Sequence, residues 1–268
     1  MVKRLVMKSY LGLILLFMYL PIVVLIVFSF NKSKSRGNWS GFTLKWYRQL
    51  FENSQIMDAL YNTLMLALIS SIVAVVIGTF AAIGIHNMKK FKKSVVMNLT
   101  YLPVLNPDIV TGVSLMIMFV FVGSLIGLKL GFLTMLLAHI TFNIPYVILS
   151  VLPKLKQMNK HMYEAALDLG ASSMYAFRKV IIPEIMPGIV SGFLMAFTLS
   201  IDDFVISYFT SGSGVSNLSI TIYSMARTGV KPTINALSTL MFGAVLLLLI
   251  LINIRASREE KKRHQYDK

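Results

Sequence analysis

The chain has 268 residues, of which 56% are hydrophobic and only 14% charged, yet its formal net charge is +15. With a mean hydropathy of +0.72, these figures exclude a disordered chain and an ordinary soluble enzyme, because a soluble fold of this size cannot hide so much apolar surface. The absence of cysteine excludes disulfides, thiolate metal sites and cysteine nucleophiles.

Charge is missing in long stretches: residues 9–31, 59–88, 109–128, 130–153 and 232–254 contain no Asp, Glu, Lys or Arg. A bilayer core about 30 Å thick needs about 20 helical residues, and a helix satisfies its backbone polar groups within one segment. The alternation of a membrane strand is absent from runs such as residues 246–251. Six helical spans are therefore predicted, over 10–30, 60–85, 95–122, 131–152, 188–208 and 234–254, forming one all-α membrane domain over residues 1–268. The first span follows Lys3, Arg4 and Lys8 as a secretory leader would. Its apolar run of about 20 residues exceeds a leader's core, and Phe28-Ser29-Phe30-Asn31 offers no small-residue cleavage site, so a retained helix is expected. Residues 210–219, rich in Ser, Gly and Asn, suit a loop or a short re-entrant element.

Lys and Arg set the orientation, being retained on the inner side. With the N-terminus inside, the inner segments hold 18 of the 26 cations and the outer segments 8, so both termini are predicted to be cytoplasmic. Lys32, Lys34 and Arg36, just beyond the first span, run against this arrangement.

The longest inner connection, 153–187, carries the most information. Residues 161–169 contain good helix formers, Gly170 sits where a helix ends with positive φ, and Ser172 or Ser173 can cap a second short helix. Pro183 and Pro187 are expected to close that helix before the fifth span. The small residues Ala165, Ala166 and Gly170 leave a surface that a partner backbone can approach closely. On periodicity alone, an amphipathic helix resting on lipid headgroups is the better reading.

The ordered pattern adds to this. Glu164-Ala165-Ala166, three residues, Gly170, nine residues, then Val180-Ile181-Ile182-Pro183 resembles the signature of bacterial ABC importer permeases of the type I, binding-protein-dependent family, with Val180 and Ile182 as volume-similar departures from Ile and Leu. The resemblance runs through Gly41-Phe42-Thr43-Leu44-Lys45-Trp46-Tyr47, Asn62-Thr63-Leu64, Leu102-Pro103 and Pro107-Asp108-Ile109-Val110-Thr111-Gly112. In Ser200-Ile201-Asp202-Asp203-Phe204, Phe209-Thr210-Ser211-Gly212, Ile222-Tyr223-Ser224 and Asn235-Ala236-Leu237 it is similar to permeases of spermidine and putrescine importers.

That resemblance implies a six-helix permease in the bacterial cytoplasmic membrane. It implies a homologous second permease as partner, two ATP-binding subunits beneath, and an extracytoplasmic polyamine-binding protein that delivers substrate. The helix holding Glu164, Ala165, Ala166, Asp168 and Gly170, with Pro183 behind it, would then be the coupling element seated on the ATPase. The chain has no Gly-x-x-x-x-Gly-Lys-Ser/Thr phosphate loop, so no enzyme activity or cofactor is expected of it, ATP and Mg being held by the partner subunits. The same machine for ferric iron, thiamine or an organophosphonate is the alternative of the same class. A proton-coupled secondary transporter would suit the carboxylates, but has no need of the loop.

Ionisable residues inside a span are costly and point to function. Asp108, Asp202 and Asp203 qualify. If the third and fifth helices start near Ser94 and Gly188, both Asp108 and Asp202 lie 14 residues in, roughly 21 Å along the axis. Adjacent helical positions point about 100° apart, so only one of Asp202 and Asp203 can line a path while the other caps or pairs within the protein. Phe204, Tyr208 and, further on, Tyr223 supply aromatic faces for a polycation. Against this stands a structural use, in which Asp108 caps a helix broken at Pro107 and the acid pair bonds backbone at an unwound stretch.

Other signals read as structural. Gly123-x-x-x-Gly127 and Gly188-x-x-x-Gly192 allow close helix approach. Trp46, Tyr47 and Phe51 suit an outer amphipathic helix at headgroup level. His86, His139, His161 and His264 have no partners at metal-ligand spacing, and His139 is expected to hydrogen-bond a neighbouring helix. The basic tail 255–268 suits anionic headgroups.

Overall fold

Away from water a single segment can pair its own backbone groups only as a helix, and the charge-free stretches fold accordingly. The computed structural model describes residues 2–34, 38–228, 231–247 and 250. Its helices are α1 (Val2–Ser29), α2 (Lys45–Glu52), α3 (Ser54–Asn87), α4 (Lys90–Leu105), α5 (Asp108–Ile126), α6 (Phe132–Gln157), α7 (Lys160–Asp168), α8 (Ser173–Ala176), α9 (Ile182–Asp202), α10 (Val205–Thr210), α11 (Leu218–Thr228) and α12 (Pro232–Leu247), with a π-helical turn over Phe177–Ile181. Among the described residues there is no strand, only a β-bridge between Asn31 and Phe42. Among the described residues, five segments are long and apolar enough to cross a membrane: Ser9–Ser29, Ser54–Asn87, Asp108–Ile126, Phe132–Gln157 and Ser173–Asp202. Apart from Ile250, the part of the sixth expected span beyond α12, and the basic tail, lie outside the described residues.

The chain divides into two compact units, one of residues 58–221 and one of residues 1–57 with 222–268. In the first, α6 is the central helix and packs most extensively on α9. Two glycines make this possible. A Cβ at Gly188 would stand 2.9 Å from the Ser150 carbonyl oxygen, and one at Gly192 would stand 3.3 Å from the Val147 backbone. From the other side Gly78 of α3 lies against Val147, where a Cβ would come within 2.8 Å. Lipid is as apolar as the side chains, so such close packing rather than water exclusion holds membrane helices together. Val147, Val151, Leu152, Ile185 and Ala196 fill the seam and are buried.

Three sequence expectations change here. The span over 95–122 is two helices, since α4 stops at Leu105 and α5 begins at Asp108 beyond Asn106 and Pro107. Pro107 has no N–H to continue the ladder and holds its predecessor extended, with Asn106 at ψ 143°. Asp108 is consequently a first-turn residue of α5, and exposed, rather than 14 residues into a helix. The second change concerns Gly123 and Gly127, which serve a turn rather than a helix contact. Gly127 ends α5 at φ +76°, and Gly123 leaves room for the Leu128 carbonyl that comes after it.

The third change is in the other unit. Trp46 is not at the surface: it is 4% exposed, and its Nε1 donates to the Asn31 carbonyl at 2.6 Å. Tyr47 Oη lies 2.7 Å from Ser29 Oγ, and the Phe30 and Phe42 rings stack at 5.3 Å. These contacts fold the segment after α1 into a small lobe at the end of the first span. Of the three residues expected at headgroup level only Phe51 is exposed, joined by Trp39, Phe42 and Leu44.

Candidate functional site

Two regions of the 58–221 unit carry most of the sequence-marked residues, and α9 links them. The first is the connection after α6. Asn159 caps α7, its side chain accepting from the His161 N–H at 3.0 Å. Gly170 has the positive φ expected of it, +86°, and closes α7 in a paired turn. Its N–H donates to the Leu167 carbonyl at 2.8 Å and the Ala171 N–H to that of Ala166 at 3.0 Å. That pattern satisfies two of the carbonyls a helix end leaves unpaired. Ser172 caps α8 through the Tyr175 N–H. Glu164, Ala165, Asp168 and Gly170 are exposed, Ala166 is half-buried, and Leu169 is 89% exposed. A cavity of about 540 Å³ lies beneath α7, lined among others by Asn87, Tyr163, Glu164, Phe177 and Ile181. α7 therefore presents a small-residue surface outward over a loosely filled space.

Pro183 and Pro187 do not close this element before the fifth span. Helix runs without interruption over Ser173–Asp202. A proline inside a helix lacks an N–H and its ring collides with the carbonyl four residues back. The π-turn relieves both, because the Ile182 N–H reaches the Phe177 carbonyl five residues back and the wider turn admits Pro183 directly after it. Pro183 is thus accommodated by the π-turn and is not a helix stop.

The second region is the far end of α9. The helix ends at Asp202, Asp203 is extended at φ −61° and ψ 123°, and α10 restarts at Val205. The Asp203 carboxylate accepts from the N–H groups of Ile206 at 3.2 Å and Ser207 at 2.8 Å, capping α10. His139 Nε2 stands 3.3 Å from Asp203 Oδ2 and 2.9 Å from Ser207 Oγ. Asn217 Nδ2 donates to the Asp203 carbonyl at 3.1 Å and to Ser207 Oγ at 2.8 Å, while its Oδ1 caps α11 through the Ile220 N–H. A turn lower, Asn143 Nδ2 donates to Ser200 Oγ at 2.8 Å, and Ser200 Oγ lies 3.1 Å from Ser70 Oγ of α3.

The acid pair is divided in this way. The Asp203 side chain is 8% exposed and held inside the fold, whereas Asp202 is exposed at the helix end. Beside Asp202, the Phe204 and Tyr208 rings lie 5.4 Å apart, and Tyr208 is 51% exposed. Asp108 stands one turn before Gly112, whose missing Cβ lets α5 close on Phe209 of α10. Tyr223 belongs to the other unit, where the Arg227 guanidinium lies over its ring at 5.8 Å. Sequence reading placed His139 against a neighbouring helix but did not single out Asn143, Ser207 or Asn217. The available signal was the spacing of His139 and Asn143, four residues apart on one face of an otherwise apolar helix. Among the described residues no group of three metal-ligating side chains occurs.

An all-helical bundle with several membrane-length helices and an exposed Glu-Ala-Ala-x-x-x-Gly helix joined to one of them defines a class of membrane permease. The chain belongs to the family of binding-protein-dependent transport system inner membrane components, whose family model matches residues 74–257. The spermidine/putrescine transport system permease protein PotC of Escherichia coli (strain K12) is 39% identical over 258 residues, 96% of this chain and 94% of that protein. The putrescine transport system permease protein PotI of the same strain is 38% identical over 251 residues, covering 92% of this chain and 89% of PotI. A solved bacterial ABC transporter involved in the import of the acidic polysaccharide alginate shares the fold, with a TM-score of 0.72 at 19% identity over 96% of this chain and 97% of the other.

Proposed function

We propose that the chain is the permease subunit of an ATP-driven importer of polyamines, spermidine or putrescine, that works by alternating access. The whole chain, residues 1–268, acts as one permease domain. It pairs with a homologous second permease, rests on two ATP-binding subunits that hold ATP and Mg, and receives substrate from an extracytoplasmic polyamine-binding protein. Its termini and the α7–α8 loop face the cytoplasm of a bacterial inner membrane, in keeping with the side that holds 18 of its 26 cations.

One observation carries the mechanism: the unbroken helical run Ser173–Asp202 that begins in the exposed loop and ends at an exposed carboxylate. A 30-residue helix spans about 45 Å and is stiff. Closure of the ATPase pair against Glu164, Ala165, Ala166, Asp168 and Gly170 would move α7 over its loosely filled space. Through Pro183 and the π-turn it would displace the far end of α9. There Asp202 offers a carboxylate, and Phe204 and Tyr208 offer ring faces, to the ammonium groups and methylenes of a polyamine. Asp108 extends the path. Asp203 serves it indirectly, by capping α10.

Reconstitution tests this. Uptake of labelled spermidine or putrescine is expected only with both permeases, the ATP-binding subunits, the binding protein and ATP present. Uptake by this chain alone, without ATP, overturns the proposal. A cognate binding protein that prefers an anion overturns the substrate assignment.

A further inference from the structure

We infer that His139 and Asn143 of α6 are positioning residues that set where α9 stops, and so where the Asp202 carboxylate stands. The inference rests on the assignment of Asp202 to the substrate path.

The chain around the break contains no residue that ends helices: Leu199, Ser200, Ile201, Asp202, Asp203, Phe204, Val205, Ile206 and Ser207 include neither Pro nor Gly. Sharp interruptions normally have such a local cause. Here the local contribution is the Asp203 cap on α10, and tertiary contacts hold that cap in place. Asn143 holds Ser200, two residues before Asp202. His139 holds Asp203, the residue immediately after it, and Ser207, in the first turn of α10. Asp202 is bracketed by two anchors from one helix face. The peptide groups freed by the break are met by the Asp203 carboxylate and by Asn217. Among the described residues His139 is the only side chain paired as an ion partner with that carboxylate. Facing both a carboxylate and a hydroxyl, Nε2 is assigned the proton.

His139 and Asn143 are both fully buried, so neither meets a substrate travelling along an exposed path. Placing such side chains in a membrane helix is costly. Each also has one buried atom with no hydrogen-bond partner among the described residues, Nδ1 of His139 and Oδ1 of Asn143. The atoms that do have partners are turned toward α9 and α10. Without these contacts, continuing the helix through 203–207 competes with the break, and continuation would leave Asp202 inside a longer helix instead of at its exposed end.

The test is a double-mutant comparison in the assembled transporter. Uptake is measured for H139L, N143L and D202N singly, and for H139L and N143L each combined with D202N, with assembly checked by co-purification of the partner subunits. Residues that act through Asp202 should show non-additive losses. Each single change is expected to lower uptake about tenfold, and each double variant to stay within about twofold of D202N alone. H139Q, which keeps a donor near Nε2, should retain most of the activity. Losses that multiply toward about a hundredfold overturn the positioning role while leaving Asp202 in the path. An unchanged D202N beside an impaired H139L overturns the path assignment itself. If H139L does not assemble, the milder N143A with D202N decides by the same criterion.

Discussion

The two ends of α9 are built in opposite ways. Where it leaves the α7–α8 loop, the structure is held by local bonds: the Gly170 turn, the Ser172 side-chain cap and a π-turn before Pro183 use neighbours within six residues, and Glu164, Ala165, Asp168, Leu169 and Gly170 are exposed. At its far end it is held by side chains from α3, α6 and the segment before α11, buried and remote in sequence. An end held by local bonds keeps its shape while leaving its side chains for a partner. An end held by long-range side-chain contacts cannot change without disturbing three helices. The comparison separates a surface made for another protein from a joint made for this one.

Substitutions at the seam between these ends should have the largest effect. Gly188→Val places branched carbons against the Ser150 carbonyl, where even a Cβ would stand at 2.9 Å, so α6 and α9 must separate. Overpacking of this kind costs about 1–3 kcal/mol or more, and loss of the assembled complex on co-purification is expected. Asp203→Ala comes next. It leaves His139 and the N–H groups of Ile206 and Ser207 without their acceptor, a change worth about 3 kcal/mol and visible as a lowered Tm in detergent. If Asp203→Ala were neutral for stability yet abolished uptake, the contrast with Asp202 would fail.

The exposed end should respond in function before stability. Gly170→Val forces a branched residue to φ +86° with open space around its Cβ, costing about 1–2 kcal/mol. Substrate-stimulated ATP hydrolysis in the complex is expected to fall far more than the Tm of the isolated chain. A Tm change without loss of coupling would make that end structural. Smallest is Pro183→Ala, which restores an N–H and removes the ring that the π-turn accommodates. Stability should shift by less than about 1 kcal/mol, and hydrogen exchange over 177–182 should report whether the turn tightens to an α-helix. A persistent π-turn would mean that contacts to α7, not Pro183, impose it.

Much of the exposed end was legible from sequence. The Gly170 turn and the Ser172 cap follow from residues a few positions apart, and the Gly188–Gly192 spacing announced a close helix contact. Legibility failed where a local rule met a compensating neighbour. Pro183 reads as a helix stop, but a π-turn immediately before it removes the clash. Gly123 and Gly127 match a packing pattern, but the chain turns at Gly127 and the spacing serves that turn. Asp202 and Asp203 look equivalent in sequence, since nothing local distinguishes two adjacent acids.

What the sequence determined by itself is the membrane class, the helical architecture and the family. The physical reason is that charge-free length and the Glu-Ala-Ala-x-x-x-Gly spacing are properties of neighbouring residues, and a bilayer acts directly on the charge-free length. What only the tertiary structure decided is which acid faces outward, where the fifth helix breaks, and that it runs unbroken from the loop to that break. Those outcomes depend on His139 meeting Ser207 and Asn143 meeting Ser200, 68 and 57 residues away. In a medium that offers polar groups no water, such distant partners determine which backbone groups are released from the helix and which stay in it.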